Sequence, residues 1–396
     1  MTVAFWTLAQ LALWLAVWSW LQAVRVSRYY RPIDSDALHD RPPLSLVIAV
    51  RAAGPDLPSA LGRSVGALRP GDELLIAVDA RDAAAVADAE AGAAAATAVA
   101  RRVPTDGRGP ARVEVVRAHP PTPSPSTDPE HASDARVAAL RAAAVERAAH
   151  RLLAFVEDDV ALAAPTLDEV VRTAANDGVG AAFALSYVAA GARGRSAWRA
   201  AFANQWKTPA LAALALRGAP RFVAEGLWAT TRAAWLAAEA ADPGGTRAAL
   251  GLTPAEVRRG AAFHATGRRN RVVRRMLPRS PAPVPGAAGP SRDGVPVAGW
   301  RAGGPLGHAL AALGANPVPL GLAATLIGLT TQAVPAAVAF VPAVAAMGWR
   351  MAALATLNGG PYRGLPRHAY LGRALALEAL AWTWWWSRPR AADRGG

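Results

Sequence analysis

The stretch LSLVIAV (Leu44–Val50) is almost continuously apolar over its whole length. A short run of this kind predicts a strand that is covered on both faces, as the central strands of parallel sheets are. Three further short runs follow along the chain, namely ELLIAV (Glu73–Val78), RVEVV (Arg112–Val116) and LLAFV (Leu152–Val156). We therefore expect at least four strands.

Helix-forming sequence separates these runs. It extends through Leu68 after the first strand, through an alanine-rich segment to Ala100 after the second, and over Arg136–His150 before the fourth. Strands that alternate with helices predict an α/β fold with a mainly parallel sheet. The segment Pro120–Ser133 is rich in proline and other turn residues, which predicts a loop.

Both ends of the chain carry long apolar segments. Thr2–Val24 is 23 residues without a charge, and at ~1.5 Å per residue it can cross a hydrocarbon core of ~30 Å. A cleaved signal peptide is the alternative, but no basic residue precedes the run and it is long for a signal sequence. We interpret it as an uncleaved anchor, and the arginines that follow it (Arg25, Arg28 and Arg31) predict a cytoplasmic location for the next segment.

A second charge-free stretch, Ala302–Trp349, has 48 residues. It is long enough for two spans that turn near Pro317 or Pro335. Leu371–Ser387 is a third apolar segment rich in tryptophan, but it contains an arginine and a glutamate. Whether this segment spans the membrane or lies at its interface stays open.

The composition excludes some chemistry. The chain of 396 residues has no cysteine, so disulfides, cysteine zinc sites and thiol catalysis are excluded. The net charge is +14 and comes from arginine, and GC-rich coding is an alternative source of that bias. Six of the twelve residues in Arg268–Arg279 are arginine. This run can bind diphosphate, anionic lipid headgroups or nucleic acid, or it can hold the segment in the cytoplasm.

Acidic residues follow two of the predicted strands. They lie in VDARD (Val78–Asp82) and VEDDV (Val156–Val160). Open α/β sheets bind ligands at the carboxyl ends of their strands, where carboxylates suit a divalent cation and a diphosphate. Solvated loop acids are the alternative. The sequence contains no dinucleotide-binding or phosphate-loop glycine motif and no nucleophile elbow.

The order of these features resembles the family 2 glycosyltransferases, and most closely their ceramide glucosyltransferase-like branch. Pro42–Gly54 is similar to the family's opening strand, and Glu73–Val86 to the strand that ends in an acidic turn. Ala135–Leu167 resembles the helix, strand and D-x-D block. Arg221–Trp235 and Thr253–Val273 are similar to the glycine-turn block and to the block that carries the third acid.

The resemblance implies a GT-A type nucleotide-sugar-binding domain and assigns roles to single residues. Glu157 and Asp159 would hold a divalent cation, Mn²⁺ or Mg²⁺, and Glu256 would be the catalytic base. A solvent-facing helix residue is the alternative for Glu256. Glu225 is either a site acid or a surface acid at a strand end, and we expect the latter. Of the family's Q/R-x-x-R-W motif only Trp300 remains. The residues assigned to nucleotide-sugar binding are Asp79, Asp82, Arg136, Gly226 and Trp300.

The implied organisation is an N-terminal anchor (1–24), a cytoplasmic GT-A domain (40–282), a linker (283–302) and a C-terminal membrane domain (303–396). The expected function is inverting transfer of a sugar from a nucleotide sugar, a UDP-sugar, to a lipid acceptor at the cell membrane, without nucleic acid as a partner. Two alternatives stay open: a degenerate, non-catalytic relative of the family, and an unrelated basic membrane protein.

Overall fold

The structure is a computed structural model, and it describes most of the α/β domain and part of the apolar ends. The described residues are 2–30, 41–50, 57–102, 112–122, 129–160, 162–188, 204, 208–215, 218–241, 254–279 and 317–359. The predicted linker, Trp300 and the segment Leu371–Ser387 lie outside the described residues.

The strands form one large sheet and one small pair. They are β1 (Leu44–Ala49), β2 (Glu73–Asp79), β3 (Arg112–Ala118), β4 (Leu152–Val156), β5 (Val179–Ala184), β6 (Ser186–Val188), β7 (Leu227–Thr231), β8 (Arg269–Val272) and β9 (Leu277–Arg279). Seven of them make a sheet of order β3-β2-β1-β4-β7-β5-β8, and β6 pairs with β9. Only β7 runs antiparallel to its neighbours in the seven-stranded sheet. The predicted α/β fold with a mainly parallel sheet is confirmed.

Eleven helices lie in the described ranges. They are α1 (Thr2–Tyr29), α2 (Leu57–Val65), α3 (Ala83–Arg102), α4 (Pro129–Arg147), α5 (Ala164–Ala174), α6 (Thr208–Ala215), α7 (Arg232–Ala240), α8 (Pro254–Ala265), α9 (Pro317–Thr330), α10 (Ala336–Ala339) and α11 (Val341–Gly359).

Helices cover both faces of the sheet. On one face, Leu140 of α4, Trp235 of α7 and Phe263 of α8 share a core with strand residues that include Phe155. On the other face, side chains from α2, α3 and α5 pack against the alternate strand residues. All residues of β1, β2 and β4 are buried. This double coverage explains why the central strands are continuously apolar rather than alternating.

The start of α4 differs from the prediction. The sequence predicted a loop over Pro120–Ser133 and a helix over Arg136–His150, whereas α4 begins at Pro129 and ends at Arg147. The described helix therefore includes Pro129–Ser133, the end of the segment that was predicted as a loop.

An ion-paired network lies at the amino ends of the strands. The buried guanidinium of Arg41 donates two hydrogen bonds to Asp72, of 2.8 and 2.6 Å, and a third to Asp168 of α5. Asp72 also accepts from the backbone N–H of Leu44 at the start of β1. The network joins β1, the turn before β2 and α5 at the end of the sheet opposite to the acidic turns.

Two apolar segments of the described residues, Thr2–Tyr29 and Ala336–Leu357, are long and apolar enough to cross a membrane. The intervening helix α9 has 14 residues, which gives ~21 Å and is short for a ~30 Å core. The turn between α9 and α10 contains Pro335, one of the two predicted turn positions. Of the two spans predicted in Ala302–Trp349, the described part therefore contains one helical segment long enough to cross a membrane, and α9 falls short of that length.

Helix α1 also contacts the α/β domain. The Tyr29 hydroxyl donates a 3.2 Å hydrogen bond to the backbone oxygen of Val272 in β8. The guanidinium carbon of Arg274 lies 5.5 Å from the Tyr29 ring centroid, which is a cation–π contact. The end of the apolar helix is thus attached to the edge strand of the sheet.

Replacement of Gly260 by alanine is expected to destabilise the domain. A Cβ at Gly260 would lie 2.3 Å from the Cα of Phe222, and overpacking against backbone costs about 1–3 kcal/mol of unfolding free energy. Gly62, also helical, has open space at its Cβ position, so Gly62→Ala should be neutral or stabilise by about 0.5–1 kcal/mol. Thermal unfolding of the full chain in detergent measures both. Equal midpoints for the two variants would contradict the close packing at Gly260.

Candidate functional site

The acidic turn after β2 is held together by two arginines. Asp79 ends β2, and its carboxylate accepts hydrogen bonds of 3.0 Å from the backbone N–H and the guanidinium of Arg81. Nε of Arg136, on α4, lies 3.3 Å from the same carboxylate. The hydrogen bond from the Arg81 side chain lowers the pKa of Asp79 below its usual value, and Arg136 adds to this shift against the effect of burial.

Asp82 completes this group. Its carboxylate accepts a 3.0 Å hydrogen bond from the backbone N–H of Ala85 and so caps the start of α3. Nη2 of Arg136 lies 3.6 Å from the other carboxylate oxygen of Asp82. The structure therefore brings Asp79, Asp82 and Arg136 together, three of the residues predicted to bind the nucleotide sugar.

The acidic turn after β4 is occupied by a third arginine. Arg279, the last residue of β9, donates from Nε to Asp159 at 3.1 Å and from Nη2 to the same carboxylate at 3.0 and 2.9 Å. Its Nη2 also pairs with Glu157. Burial lowers the pKa of Arg279, but the carboxylates of Asp159 and Glu157 raise it further, so the net pKa lies above the usual value. The predicted metal ligands thus share one permanently charged guanidinium.

The segment before β7 connects the predicted metal ligands to the predicted base. The backbone oxygen of Gly226 accepts a 3.0 Å hydrogen bond from the N–H of Glu157. The neighbouring N–H of Glu225 donates a 2.8 Å bond to Oε1 of Glu256. Gly226 has φ 122°, a conformation that favours glycine. The backbone of Glu225 and Gly226 is therefore hydrogen-bonded to Glu157 on one side and to Glu256 on the other.

The alternative of a solvent-facing Glu256 is wrong, because this residue is only 3% exposed. Glu256 lies in the first turn of α8, and its backbone oxygen accepts a 3.1 Å bond from Val223. The helix packs against this segment because Gly260, one turn later, has no side chain to hold it away. The missing Cβ of Gly260 explains why this acid in the first turn of a helix is buried.

Glu225 does not lie on the open surface as predicted. Its side chain lines a cavity of about 330 Å³ between α4, α7 and α8, together with Arg141, Trp235 and Arg258. Its carboxylate is 4.0 Å from Arg259. The sequence indicates that Glu225 lies at a strand end. It does not indicate the contact with α8 that forms the cavity wall, because this contact joins separate parts of the chain.

The predicted site residues that the structure describes lie at or beside the carboxyl ends of the central strands, along one edge of the sheet. The acidic turns follow β2 and β4, which flank β1, and strands ~4.8 Å apart place the two turns ~10 Å from each other. Strand β7 begins opposite the end of β4, with Leu227 paired to Val156. Because β7 is antiparallel, the segment before it reaches the same edge.

Of the arginines that pair with these acids, Arg136 was assigned to nucleotide-sugar binding from the sequence, Arg81 was not identified, and Arg279 was indicated only as a member of the Arg268–Arg279 run. Arg81 is two residues from Asp79, so a local turn already joins them. Arg279 is 120 residues from Asp159, and nothing in the local sequence distinguishes it from the other five arginines of its run. Its pairing with Asp159 follows from the register of β9, which is seen only in the folded structure.

The side chains at this site determine whether a divalent cation can bind there. Within the described ranges, no group of three or more histidine, cysteine, aspartate or glutamate side chains is arranged to hold a metal ion. Mg²⁺ is commonly held by only one or two carboxylates, with water and substrate phosphates as the other ligands. Glu157 and Asp159 fit a cation that arrives with a diphosphate, provided that Arg279 leaves their oxygens.

No protein-family model matches the chain, and no curated protein matches it either. The chemistry of this edge must therefore indicate its function. It combines partly buried carboxylates, charged arginines and a neighbouring cavity.

The stability contributed by Asp79 is expected to depend on pH. Its folded pKa lies below the reference value of 3.8, so the ionised form stabilises the fold above about pH 4 and this gain is lost as the pH falls through the folded pKa. The unfolding midpoint of Asp79→Asn should lie below that of the parent chain at neutral pH, and the difference should shrink below about pH 4.

Asp177→Asn is the matched control, because Asp177 is exposed in the turn after α5. Its midpoint should follow that of the parent at every pH. A difference between Asp79→Asn and the parent that stays constant down to pH 3 would contradict the Asp79–Arg81 interaction.

Proposed function

We propose that this chain is a membrane-bound, inverting glycosyltransferase that transfers a sugar from a UDP-sugar to a lipid acceptor. The observation that carries the proposal is the convergence of residues from separate sequence blocks at one sheet edge. Asp79 and Arg136 meet after β2, Glu157 and Asp159 follow β4, and Glu256 is joined to Glu157 through the segment before β7. Ligands of open α/β sheets bind at this edge.

The two acidic turns suit the two halves of a nucleotide sugar. Near β2, the carboxylate of Asp79 offers an acceptor for N–H or O–H groups of the nucleoside, and Arg136 offers a cation for its phosphates. Near β4, Glu157 and Asp159 would hold the divalent cation, which would offset the negative charge that develops on the departing diphosphate. The ~10 Å between the turns leaves room for an extended ligand across β1.

The transfer step needs a base close to the acceptor. The acceptor hydroxyl oxygen forms a bond to the anomeric carbon while the bond from that carbon to the diphosphate oxygen breaks, with inversion. Glu256 would take the hydroxyl proton. The hydrogen bond from the Glu225 N–H orients its carboxylate. The adjoining cavity, lined by Glu225 and Trp235, offers space for the acceptor headgroup.

The apolar helices support a lipid acceptor and a membrane location. On α1, Val3 is 79% and Trp14 61% exposed, and Val344 of α11 is 67% exposed. Exposed apolar surface of this extent is costly in water and is typical of lipid-facing helices. Because Tyr29 attaches α1 to β8, a domain anchored in this way would work next to the lipid surface that contains its acceptor.

A non-catalytic relative is the second candidate, and the environment of Glu256 favours it. The residue is 3% exposed and its carboxylate holds a backbone N–H, which is a structural role in itself. A chain that binds a nucleotide diphosphate without transfer would retain the acidic turns and the arginines.

Glu256→Gln is expected to separate these two functions. The amide keeps the size of the side chain and can still accept the Glu225 N–H, but it cannot take a proton. Transfer should therefore fall by about 10²-fold or more, while UDP affinity stays within a few fold. Sugar transfer to a lipid extract and UDP binding by calorimetry measure the two quantities.

Glu225→Gln is the matched control, since it changes the neighbouring acid in the cavity wall. If Glu225→Gln abolishes transfer and Glu256→Gln does not, Glu225 is the base. A parent chain that binds UDP but transfers no sugar would support the non-catalytic candidate.

The cytoplasmic orientation makes a separate prediction. Arg25 and Arg28 are exposed at the end of α1, and the positive-inside rule places them in the cytoplasm together with the domain that follows. A reporter fused after residue 289 should show cytoplasmic activity. A periplasmic signal at this position would contradict the orientation and the access to cytoplasmic nucleotide sugars.

A further inference from the structure

We infer that Arg279 is a resident counter-cation of the acidic turn after β4, which a divalent cation displaces and which then binds the diphosphate. The displacement of Arg279 by a divalent cation concerns the cation alone. Its later contact with the diphosphate rests on the proposed function. It starts from the contacts of Arg279 with both predicted metal ligands.

The guanidinium occupies the oxygens that a metal ion would need. It makes a two-pronged contact with Asp159, from Nε to Oδ2 at 3.1 Å and from Nη2 to Oδ1 at 3.0 Å, and it also pairs with Glu157. A planar guanidinium in this position fills the same lone pairs that coordinate a cation. Arg279 and a divalent ion therefore compete for Glu157 and Asp159.

The backbone of Arg279 is held by strand pairing, whereas its side chain is partly exposed. Strand β9 pairs with β6 through Val188, and Val160 forms a bridge with Arg279 itself. The arginine side chain has several rotatable bonds, so its guanidinium can leave the carboxylates without any movement of the strand. After displacement it remains beside the cation and can form a bidentate contact with phosphate oxygens.

Exposure distinguishes this arginine from the structural one. The side chain of Arg41, in the network at the amino ends of the strands, is 0% exposed, whereas that of Arg279 is 24% exposed. A buried guanidinium that loses its partners is strongly unfavourable. A partly exposed one can be rehydrated when it moves, so the cost of its release is smaller. This difference fits a structural role for Arg41 and an exchangeable one for Arg279.

The competition predicts opposite effects of one substitution on two affinities. Arg279→Met removes the competing charge, so Mn²⁺ should bind about tenfold more tightly without nucleotide. The same variant lacks the phosphate contact, so UDP should bind about tenfold more weakly when Mn²⁺ is saturating. Arg279→Lys keeps a charge but not the two-pronged geometry, and its affinities should lie between those of the parent and Arg279→Met.

The test uses the full chain in detergent, with Mn²⁺ binding followed by electron paramagnetic resonance and UDP binding by calorimetry. Arg271→Met is the control, because Arg271 belongs to the same run and the same charge is lost, but it is exposed on β8, three strands from β4. Both of its affinities should stay within about twofold of the parent, as screening weakens an exposed charge at that distance.

Each arm has an outcome that overturns the inference. Unchanged or weaker Mn²⁺ binding by Arg279→Met would show that Arg279 does not compete with the cation. Unchanged UDP binding by this variant would show that it does not contact the diphosphate. If the parent binds Mn²⁺ but no UDP, the proposed function fails, and tighter Mn²⁺ binding by Arg279→Met still supports the role of counter-cation.

Discussion

The carboxylates at the ends of β2 and β4 are the constraint on which the arrangement of this domain depends. Several negative charges at one sheet edge, partly removed from water, repel each other and require cationic partners. Besides the local Arg81, the partners come from elements farther along the chain, namely Arg136 on α4 and Arg279 on β9. Neutralisation of these carboxylates therefore joins α4 and the β6–β9 pair to the carboxyl ends of the strands.

The arginines that pair with carboxylates are buried to different extents at the amino and the carboxyl ends of the strands. At the amino ends, Arg41 is fully enclosed with Asp72 and Asp168, and this network stabilises β1 and α5. At the carboxyl ends, the arginines retain contact with solvent, with 24% exposure at Arg279 and 45% at Arg81. Ion pairs that stay partly hydrated can exchange partners at moderate cost, which suits an edge that must accept an anionic ligand and release it.

Much of the fold could be predicted from the sequence, because burial of a strand on both faces leaves a direct signal. The runs around Leu44 and Leu152 indicated central strands, and the structure places both there. The predicted acids of the two turns, Asp79 and Asp159, reach one edge because parallel strands all end on the same side. These inferences need only local sequence and general sheet geometry.

The remaining features depend on contacts between distant residues and could not be predicted. The burial of Glu256 follows from the close approach of Gly260 to the backbone at Phe222. The pairing of Asp159 with Arg279 joins residues 120 positions apart. The cavity at Glu225 exists only where three helices meet. Sequence patterns report which face of an element is apolar, but they carry little information about which polar partners will meet.

The most direct measurement is UDP affinity of the full chain with Mn²⁺ and with a chelator, for the parent and for Asp159→Asn. Mn²⁺ should tighten UDP binding by the parent if Glu157 and Asp159 hold the cation. The near-isosteric amide, which keeps the fold by circular dichroism, should remove this dependence on the metal. A parent that binds no UDP would contradict the proposed nucleotide site. So would an Asp159→Asn variant whose UDP affinity depends on Mn²⁺ as strongly as that of the parent.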